Sequence, residues 1–352
     1  MTTQTAMVVQ TVGAPVVAFS NFPIPQPGPR QVQVRVTVAG LIPHDQKGRD
    51  IGLFTKDSLP AVLGSDVVGV VTVPGEGATR FKVGDSIFGQ ASIAPGSASK
   101  ATQQYAVLDE DFASVVPDGV SEDDCATLPT NVVAGLVGFF DEEQGLGLPN
   151  PWSSTESRSH LTNSSILIVG GGSNCGRFAT QLAKLAGFGT IVVVGGKEEE
   201  LRRYGATNVV NRHGGDDVVL QRVRDIVGDD LVYAFDAFNA PGSQHLAINA
   251  LSKSKQGTLA RLVWSRGAVD ESKIHPKQAG YVLKGVLGIS HLKPDIASPF
   301  WKRIAEYLVE GKVQPLAYVV EQGLDAAKVN EVLDRYRDGK AVTQTHFRVS
   351  EP

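Results

Sequence analysis

The sequence predicts an α/β protein with a doubly wound parallel sheet and a separate β-rich domain. Between residue 165 and about residue 290, apolar strand-like runs alternate with amphipathic segments of helix length, as in parallel sheets covered by helices on both faces. Before that region, short β-branched runs follow one another closely, which is typical of a barrel-like β domain. The length of 352 residues also favours about two domains.

The β-rich region is predicted from alternation and from turn residues. Residues 31–36 (QVQVRV) alternate polar and apolar side chains, which predicts a half-buried strand, and residues 67–73 (VVGVVTV) predict a buried one. Residues 81–89 (FKVGDSIFG) predict a turn followed by another strand. Ser121 and Asp124 have the spacing of a capping box, so a helix is expected to begin after Ser121.

A glycine-rich turn follows the apolar run at residues 165–169 and opens an amphipathic helix. Such a turn brings backbone N–H groups and the positive end of a helix close to a pyrophosphate. The next strand, at residues 190–194, arrives after a helix-length gap, as a βαβ unit requires. The alternative is a tight strand–helix turn without a ligand. We predict that a dinucleotide cofactor is bound by Gly170, Gly171, Gly172, Ser173, Asn174, Cys175 and Gly176.

The end of the second strand favours NADPH over NADH. NAD-binding units usually place an acidic residue there to bind the ribose 2′-hydroxyl, whereas this chain has Gly195, Gly196 and Lys197. No carboxylate would repel a 2′-phosphate, and Lys197 can pair with it. Arg202 and Arg203 follow one helical turn later. The alternative is that Lys197 is a solvated charge beside three glutamates.

The remaining pattern completes the two predicted domains. The other sheet strands are expected at 208–211, 231–237, 259–264 and 285–289, with helices at 216–227 and 242–252 and an exposed loop at 145–164. The end of the chain is expected to form a helix at 298–310, a strand at 316–320, a helix at 325–338 and a strand at 345–349, packed back on the β-rich domain. We predict one domain from residues 1–130 with 310–352, and a dinucleotide-binding domain from 131–309.

The composition gives no sign of a nucleic-acid or membrane partner. Hydrophobic residues make up 42% and charged residues 20% of the chain, and the formal net charge is −4. No apolar run reaches the length of a membrane span, and residues 1–5 resemble no signal peptide. The two cysteines, Cys125 and Cys175, are too few for a disulfide framework or a metal cluster. We therefore expect a cytoplasmic protein.

Five segments together resemble the medium-chain dehydrogenase/reductase superfamily over nearly the whole chain. They are residues 63–71 (LGSDVVGVV), 81–85 (FKVGD), 103–107 (QQYAV), 204–210 (YGATNVV) and 310–315 (EGKVQP). The resemblance implies a Rossmann domain, with its doubly wound parallel sheet, and a GroES-like β-barrel catalytic domain. The Gly171-Gly172-Ser173 form of the turn is similar to one zinc-free branch, the fungal trans-acting enoyl reductases and quinone oxidoreductase-like proteins of polyketide pathways.

The positions that bind zinc in other members of this superfamily hold different residues here. Zinc-dependent alcohol dehydrogenases have an early Cys and a Gly-His-Glu segment, where this chain has residues 41–45 (LIPHD) and Gly64-Ser65-Asp66. No cysteine lies between residues 85 and 110, where a structural zinc would need four. The only possible metal ligands left near these positions are His44, Asp45 and Asp66, which would be an unusual ligand set. Asp45 has the alternative role of a turn or cap residue. We predict an enzyme without a metal.

The resemblance also implies site residues. Lys47 matches a lysine near cofactor and substrate in the enoyl-reductase branch, with an exposed lysine as the alternative. Tyr105 is a candidate hydrogen-bond donor to an enolate, or a half-buried packing residue, and His44 is a candidate acid, or a structural loop residue. The residues expected near the cofactor are Thr130, Asn131, Tyr204, Leu287 and Gly288. Thr130 is also a catalytic candidate. The alternative role of Thr130 and Asn131 is to cap the helix that follows.

Without zinc, reduction of a conjugated double bond is the chemistry that the resemblance favours. The negative charge is delocalised onto a carbonyl oxygen, which preorganised donors can stabilise. We predict NADPH-dependent reduction of a carbonyl-conjugated C=C bond, enoyl or enone, in a small hydrophobic secondary metabolite. Whether that substrate is free or tethered to a carrier protein stays open, as does monomer against homodimer. The alternatives are a non-redox isomerase or cyclase and a non-catalytic NADPH-binding partner protein.

Overall fold

The computed structural model describes residues 2–238, 242–262 and 269–350. The chain divides into two compact units. The first unit contains Met1–Thr130, Ile289–Gly311 and Pro315–Pro352, and the second unit contains Asn131–Gly288 and Lys312–Gln314. The chain thus passes from the first unit to the second between Thr130 and Asn131, which is where the sequence predicts the boundary.

The described residues form the following regular elements. The strands are β1 (Thr3–Val9), β2 (Val17–Pro23), β3 (Gln31–Leu41), β4 (Ala61–Val62), β5 (Asp66–Pro74), β6 (Ser86–Gln90), β7 (Tyr105–Asp109), β8 (Ala113–Val115), β9 (Ser165–Val169), β10 (Thr190–Val194), β11 (Asn208–Val210), β12 (Tyr233–Asp236), β13 (Gly257–Leu262), β14 (Tyr281–Val286), β15 (Tyr318–Gln322) and β16 (Gln344–Arg348). The helices are α1 (Pro43–Ile51), α2 (Glu122–Ala126), α3 (Pro129–Phe140), α4 (Thr155–Arg158), α5 (Asn174–Ala186), α6 (Glu198–Tyr204), α7 (Asp216–Val227), α8 (His245–Ala250), α9 (Pro294–Trp301), α10 (Ile304–Val309) and α11 (Ala326–Arg337).

The first unit is built on a seven-stranded sheet. Its strand order is β15-β16-β3-β5-β6-β8, with β7 also paired to β3. Strands β2, β1 and β4 form a separate three-stranded sheet in that order. Val32, Val34 and Val36 of β3 are fully buried, because alternate residues of a strand face the same side. The strands predicted at 31–36 and 67–73 are confirmed. Strand β16 pairs antiparallel with β3, so the end of the chain returns to this unit as predicted.

The second unit is a six-stranded parallel sheet. Its order, β11-β10-β9-β12-β13-β14, runs outward in both directions from β9, which confirms the doubly wound arrangement. Apolar side chains of its strands and of α7 and α8 form one core, which includes Leu167, Val192, Val223 and Ile248. In such sheets ligands bind at the carboxyl ends of the strands, where the order reverses. That point is the end of β9, where the glycine-rich turn begins.

Residues 289–309 belong to the first unit, whereas the sequence analysis placed them in the dinucleotide-binding domain. The backbone N–H of Ser290 donates to Gln90 Oε1 at 2.8 Å. The Trp301 ring packs edge-on against Phe88, with centroids 5.7 Å apart. A hydrophobic pattern predicts a helix but does not show which core it joins. The predicted helix at 298–310 is two helices, α9 and α10, and α9 starts early because Pro294 suits a first turn.

Three further predictions are adjusted by the structure. The last strand of the parallel sheet, which was predicted at 285–289, is β14, Tyr281–Val286. Leu287 and Gly288 therefore follow the strand rather than lie at its end. The strand predicted at 259–264 is β13, which ends at Leu262, and its last two predicted residues, Val263 and Trp264, lie outside the described residues. The loop at 145–164 contains α4 and a 3₁₀ turn, Ser159–Asn163. Within the described residues, no helix is both long and apolar enough to cross a membrane.

Candidate functional site

The glycine-rich turn of the second unit is a tightly packed start of helix α5. Ser173 Oγ accepts a hydrogen bond from Gly176 N at 3.0 Å and donates one to Gly170 O at 2.8 Å, which caps the helix. A Cβ on Gly176 would lie 2.2 Å from Gly170 O, so only glycine permits this approach. The first turn of α5 therefore presents its N–H groups at the carboxyl end of β9, as a pyrophosphate site requires.

The turn after β10 brings together the groups expected to recognise a ribose substituent. Gly195 and Gly196 have φ values of +78° and +91°, and a Cβ on Gly195 would lie 3.5 Å from Arg212 Cδ. Arg212 follows β11, the parallel neighbour of β10, and its side chain is exposed. Within the described part of the chain, no hydrogen bond or ion pair involves its guanidinium. A free arginine beside a turn without a carboxylate suits a phosphate.

The other basic residues predicted near this turn are placed differently. Arg202 Nε donates to Glu198 Oε1 at 2.8 Å, so its charge is paired within helix α6. The Arg203 guanidinium lies over the Tyr204 ring, 5.2 Å from its centroid, and Tyr204 is buried. Lys197 is exposed at the start of α6. The binding roles of Lys197 and Tyr204 remain predictions.

The beginning of helix α3 lies against the glycine-rich turn within the second unit. The Cys175 Sγ is 3.8 Å from Asn131 Oδ1, so two of the predicted cofactor residues are in contact. Gly288 lies beside the backbone of Ala134 in the same helix. The N–H of Leu287 donates to Gln144 Oε1 at 3.2 Å. The structure thus gathers Asn131, Cys175 and Gly288 around α3, and their contact with a cofactor stays a prediction.

In the first unit, Asp45 is a buried carboxylate that organises the chain around helix α1. Its Oδ2 accepts from Ile42 N and its Oδ1 from Gly64 N, each at 2.8 Å. Burial raises the pKa of Asp45 to about 6, although these hydrogen bonds and the charge of Lys100 act in the opposite direction. The capping role given as the alternative for Asp45 is therefore confirmed.

Asp66, the residue in the Glu position of the zinc-type segment, is a second buried carboxylate. Its Oδ1 accepts from Thr130 N at 2.8 Å and its Oδ2 from Gln344 Nε2 at 3.3 Å. Burial raises its pKa to about 7, and the charge of Asp45 acts in the same direction. Thr130 is thereby fixed at the start of α3, and a direct catalytic role for it remains a prediction.

Lys100 interacts electrostatically with both carboxylates, and His44 with Lys47 and Lys100. Burial, together with the charges of Lys47 and Lys100, lowers the pKa of His44 to about 4. The imidazole is therefore neutral at pH 7, which argues against His44 as a proton donor. Burial lowers the pKa of Lys47 to about 8. Lys47 is half-buried rather than exposed, which favours the predicted anchor over a surface lysine.

Tyr105 lies at the start of β7, opposite Arg35 of β3. Its backbone N–H donates to Gln4 Oε1 at 2.6 Å, and its side chain is half-buried. This strand position matches the packing role given as its alternative. Its role as a hydrogen-bond donor to the substrate remains a prediction.

The sequence analysis missed Lys100, Arg212 and Gln344. Arg212 had a signal, because it follows a strand whose carboxyl end lies next to that of β10. Gln344 reaches Asp66 from the far end of the chain, and no local pattern shows such a contact. Lys100 looks like any exposed lysine in the sequence, and only the structure shows that it is 6% exposed.

Two family models match the chain. The model of the alcohol dehydrogenase GroES-like domain matches residues 28–134, and that of zinc-binding dehydrogenases matches residues 175–289. Together they span more than half of the chain. Among the described residues, no group of three or more His, Cys, Asp or Glu side chains is arranged to hold a metal ion.

Curated relatives match almost the full chain. The dehydrogenase orsE of Emericella nidulans is 29% identical over 340 residues, covering 92% of this chain and 93% of its own. The trans-enoyl reductase himH of Aspergillus japonicus is 27% identical over 326 residues, covering 91% of this chain and 90% of its own.

Solved structures show the same fold. An alcohol dehydrogenase superfamily protein from Novosphingobium aromaticivorans superposes with a TM-score of 0.76 at 21% identity, covering 99% of this chain and 100% of its own. The CurK enoyl reductase superposes with a TM-score of 0.75 at 14% identity, covering 99% of both chains. The motifs, the two-unit architecture and these matches agree, and the chain belongs to the medium-chain dehydrogenase/reductase superfamily, as an oxidoreductase with a nicotinamide-cofactor fold.

Proposed function

We propose that this protein is a zinc-independent, NADPH-dependent reductase of a carbonyl-conjugated C=C bond, enoyl or enone, in secondary metabolism. The observation that carries the proposal is the state of Asp45 and Asp66. Both occupy the region where zinc-dependent relatives hold metal ligands, and all four of their oxygens accept hydrogen bonds from protein donors. Carboxylates engaged in this way suit a structural role better than metal ligation. The trans-enoyl reductase name of one relative supports the same chemistry.

The second unit supplies the residues that fit NADPH. The close packing of Gly176 against Gly170 forms the tight turn that a pyrophosphate site at the start of α5 requires, and the Gly195 turn has Arg212 beside it and no carboxylate. Arg212 and Lys197 would hold the 2′-phosphate, because both are exposed cations at the end of β10 or β11. When bound, NADPH supplies a hydride.

The first unit supplies groups that can stabilise a reduced, conjugated substrate. Charge develops on the carbonyl oxygen of such a substrate, and cationic or hydrogen-bonding groups held in place lower the barrier. Lys47 is a half-buried cation of this kind, and its pKa of about 8 keeps it mostly protonated at pH 7. The proton that completes the product at the α-carbon comes from a side chain or from water.

The proposal is tested with purified protein, NADPH or NADH, and a substrate panel. The panel contains enones, free and carrier-bound enoyl thioesters, quinones and simple alcohols, each with and without a metal chelator. We expect NADPH oxidation with enones or enoyl thioesters, insensitive to the chelator. Turnover of a substrate with NADPH omitted would indicate an isomerase or cyclase. NADPH binding without any turnover would indicate a non-catalytic partner protein, and inhibition by the chelator would refute zinc independence.

We also propose that the protein acts in the cytoplasm as a monomer or homodimer on a small hydrophobic substrate. Cys125 and Cys175 are not joined in a disulfide, which fits a reducing compartment. Strand β14 is an edge of the parallel sheet and is the expected dimer contact. Light scattering after size exclusion would distinguish one copy from two, and a larger assembly would contradict the proposal.

A further inference from the structure

Lys100 of the first unit is a buried lysine without a partner. Its side chain is 6% exposed, and within the described part of the chain its Nζ takes part in no hydrogen bond or ion pair. Burial of an ammonium group without a hydrogen-bond partner is unfavourable. Ionisable groups whose pKa is strongly shifted by burial occur often at functional sites.

The backbone holds Lys100 firmly beside the Asp45 turn. The next two residues donate hydrogen bonds along the chain segment that precedes β5, Ala101 N to Gly64 O and Thr102 N to Leu63 O, each at 3.0 Å. The carbonyl of Lys100 accepts from the buried Gln103 Nε2 at 2.8 Å. Since Gly64 N itself donates to Asp45, the position of Lys100 is tied to that carboxylate. The backbone that carries Lys100 is thus held in place.

Burial and two nearby carboxylates act on the protonation of Lys100, and the pKa of Lys100 lies below the usual value for a lysine. Burial lowers its pKa, while the charges of Asp45 and Asp66 raise it. The oxygens of both carboxylates already accept hydrogen bonds from other donors, so they stabilise the charge of Lys100 from a distance. The charge of Lys100 also lowers the pKa of His44, whose imidazole is neutral at pH 7.

We propose that Lys100 is a catalytic residue whose Nζ donates a hydrogen bond to the carbonyl oxygen of the conjugated substrate. This inference rests on the proposed reductase function. Bound NADPH would give up a hydride and leave as NADP⁺, so that a C–H bond would form at the β-carbon while the electron pair of the C=C bond shifts toward the carbonyl and negative charge collects on its oxygen. A proton from a side chain or from water would then add at the α-carbon and give the saturated product. Lys100 keeps its proton throughout. In its protonated form, which the charges of Asp45 and Asp66 favour against the effect of burial, Lys100 supplies positive charge at that oxygen.

The first test compares Lys100→Met with Lys82→Met. Methionine keeps the length and removes the charge, and Lys82 is an exposed lysine in the same unit, so the pair matches the chemical change. We expect kcat of Lys100→Met to fall roughly 100-fold with KM little changed, as for loss of one oxyanion donor. The NADPH dissociation constant and the melting temperature serve as checks on folding. Unchanged kcat in Lys100→Met would overturn the inference.

The second test uses the unaltered protein, so it does not depend on the folding of a variant. Lysines are labelled by reductive methylation and quantified by peptide mass spectrometry, with and without NADP⁺ plus the saturated product ketone. We expect Lys100 to react in the free protein and to be protected by the ligands, while Lys82 reacts equally in both. Equal labelling of Lys100, or no labelling of it in the free protein, would overturn its contact with substrate.

Different results would refute the proposed reductase function and the proposed role of Lys100. If the wild-type protein oxidises NADPH with enones and Lys100→Met does so equally well, the inference about Lys100 fails and the reductase function stands. If the wild-type protein oxidises no NADPH with any of the panel, both are wrong, because Lys100 is assigned to that reaction.

Discussion

Cofactor preference is set, in our interpretation, by the turn at Gly195, and one substitution tests it. The Gly195→Asp variant places a carboxylate where NAD-binding proteins hold one. A Cβ at this position would lie 3.5 Å from Arg212 Cδ, which is an ordinary contact, so no neighbouring atom blocks the new side chain. It would repel the 2′-phosphate and would also pair with Arg212, removing that cation from the phosphate.

The size of the effect follows from Coulomb's law. Two unit charges about 5 Å apart, with an effective dielectric constant of about 20, interact by about 3 kcal/mol. Salt screens part of this at an exposed turn, so we expect the preference for NADPH over NADH to fall about 10- to 100-fold. The positive φ of +78° adds strain for any side chain. That strain weakens both cofactors alike and cancels in the ratio.

The assay measures dissociation constants of NADPH and NADH by calorimetry for the wild type, Gly195→Asp and Gly195→Asn. Asparagine has nearly the same size, tolerates the same backbone conformation and carries no charge. We expect the ratio of the two constants to change strongly in Gly195→Asp and only slightly in Gly195→Asn. If the two variants show the same ratio, the Gly195 turn does not face the 2′-phosphate and the reasoning is refuted.

Three further substitutions test the second unit and the first unit separately. Gly176→Ala should abolish dinucleotide binding, because its Cβ would lie 2.2 Å from Gly170 O, and an unchanged affinity in a cofactor titration would contradict this. Asp45→Ala leaves two backbone N–H groups without acceptors and should lower the free energy of unfolding by about 2 kcal/mol or more in urea, whereas Asp57→Ala on the surface should change it little. The pKa of Asp66 is raised from 3.8 to about 7, so the folded state binds a proton that the unfolded state releases, and stability should fall as the pH rises across that interval, by up to about 1.4 kcal/mol per pH unit. Asp66→Asn should show a flatter dependence in urea unfolding at several pH values, and an unchanged slope would show that Asp66 does not titrate there.

The elements that a local pattern defines were predictable. The alternation at 31–36 predicted β3, because alternate side chains of a strand face opposite sides. Ser121 Oγ accepts from Asp124 N at 3.0 Å, as the capping-box spacing predicts. The glycine-rich run after residue 169 predicted the turn before α5, and the structure shows why Gly176 is glycine, since a Cβ there would lie 2.2 Å from Gly170 O.

Contacts between distant parts of the chain were not predictable in this way. Residues 289–309 carry a helical pattern, but only packing against Phe88 and Gln90 shows that they belong to the first unit. Arg212 reaches the Gly195 turn because β10 and β11 are parallel neighbours, and that pairing is a property of the sheet.

The sequence by itself determined the α/β class, the glycine-rich turn before α5 and the absence of the usual zinc ligands, because each depends on residue types at short spacing. Tertiary structure alone decided which ionisable groups are buried and what they face. Lys100 differs from Lys82 only in its surroundings, being 6% exposed beside Asp45 and Asp66 rather than in solvent. Charge and hydration depend on neighbours brought together by folding, and for that reason the chemistry of the first unit became visible only in three dimensions.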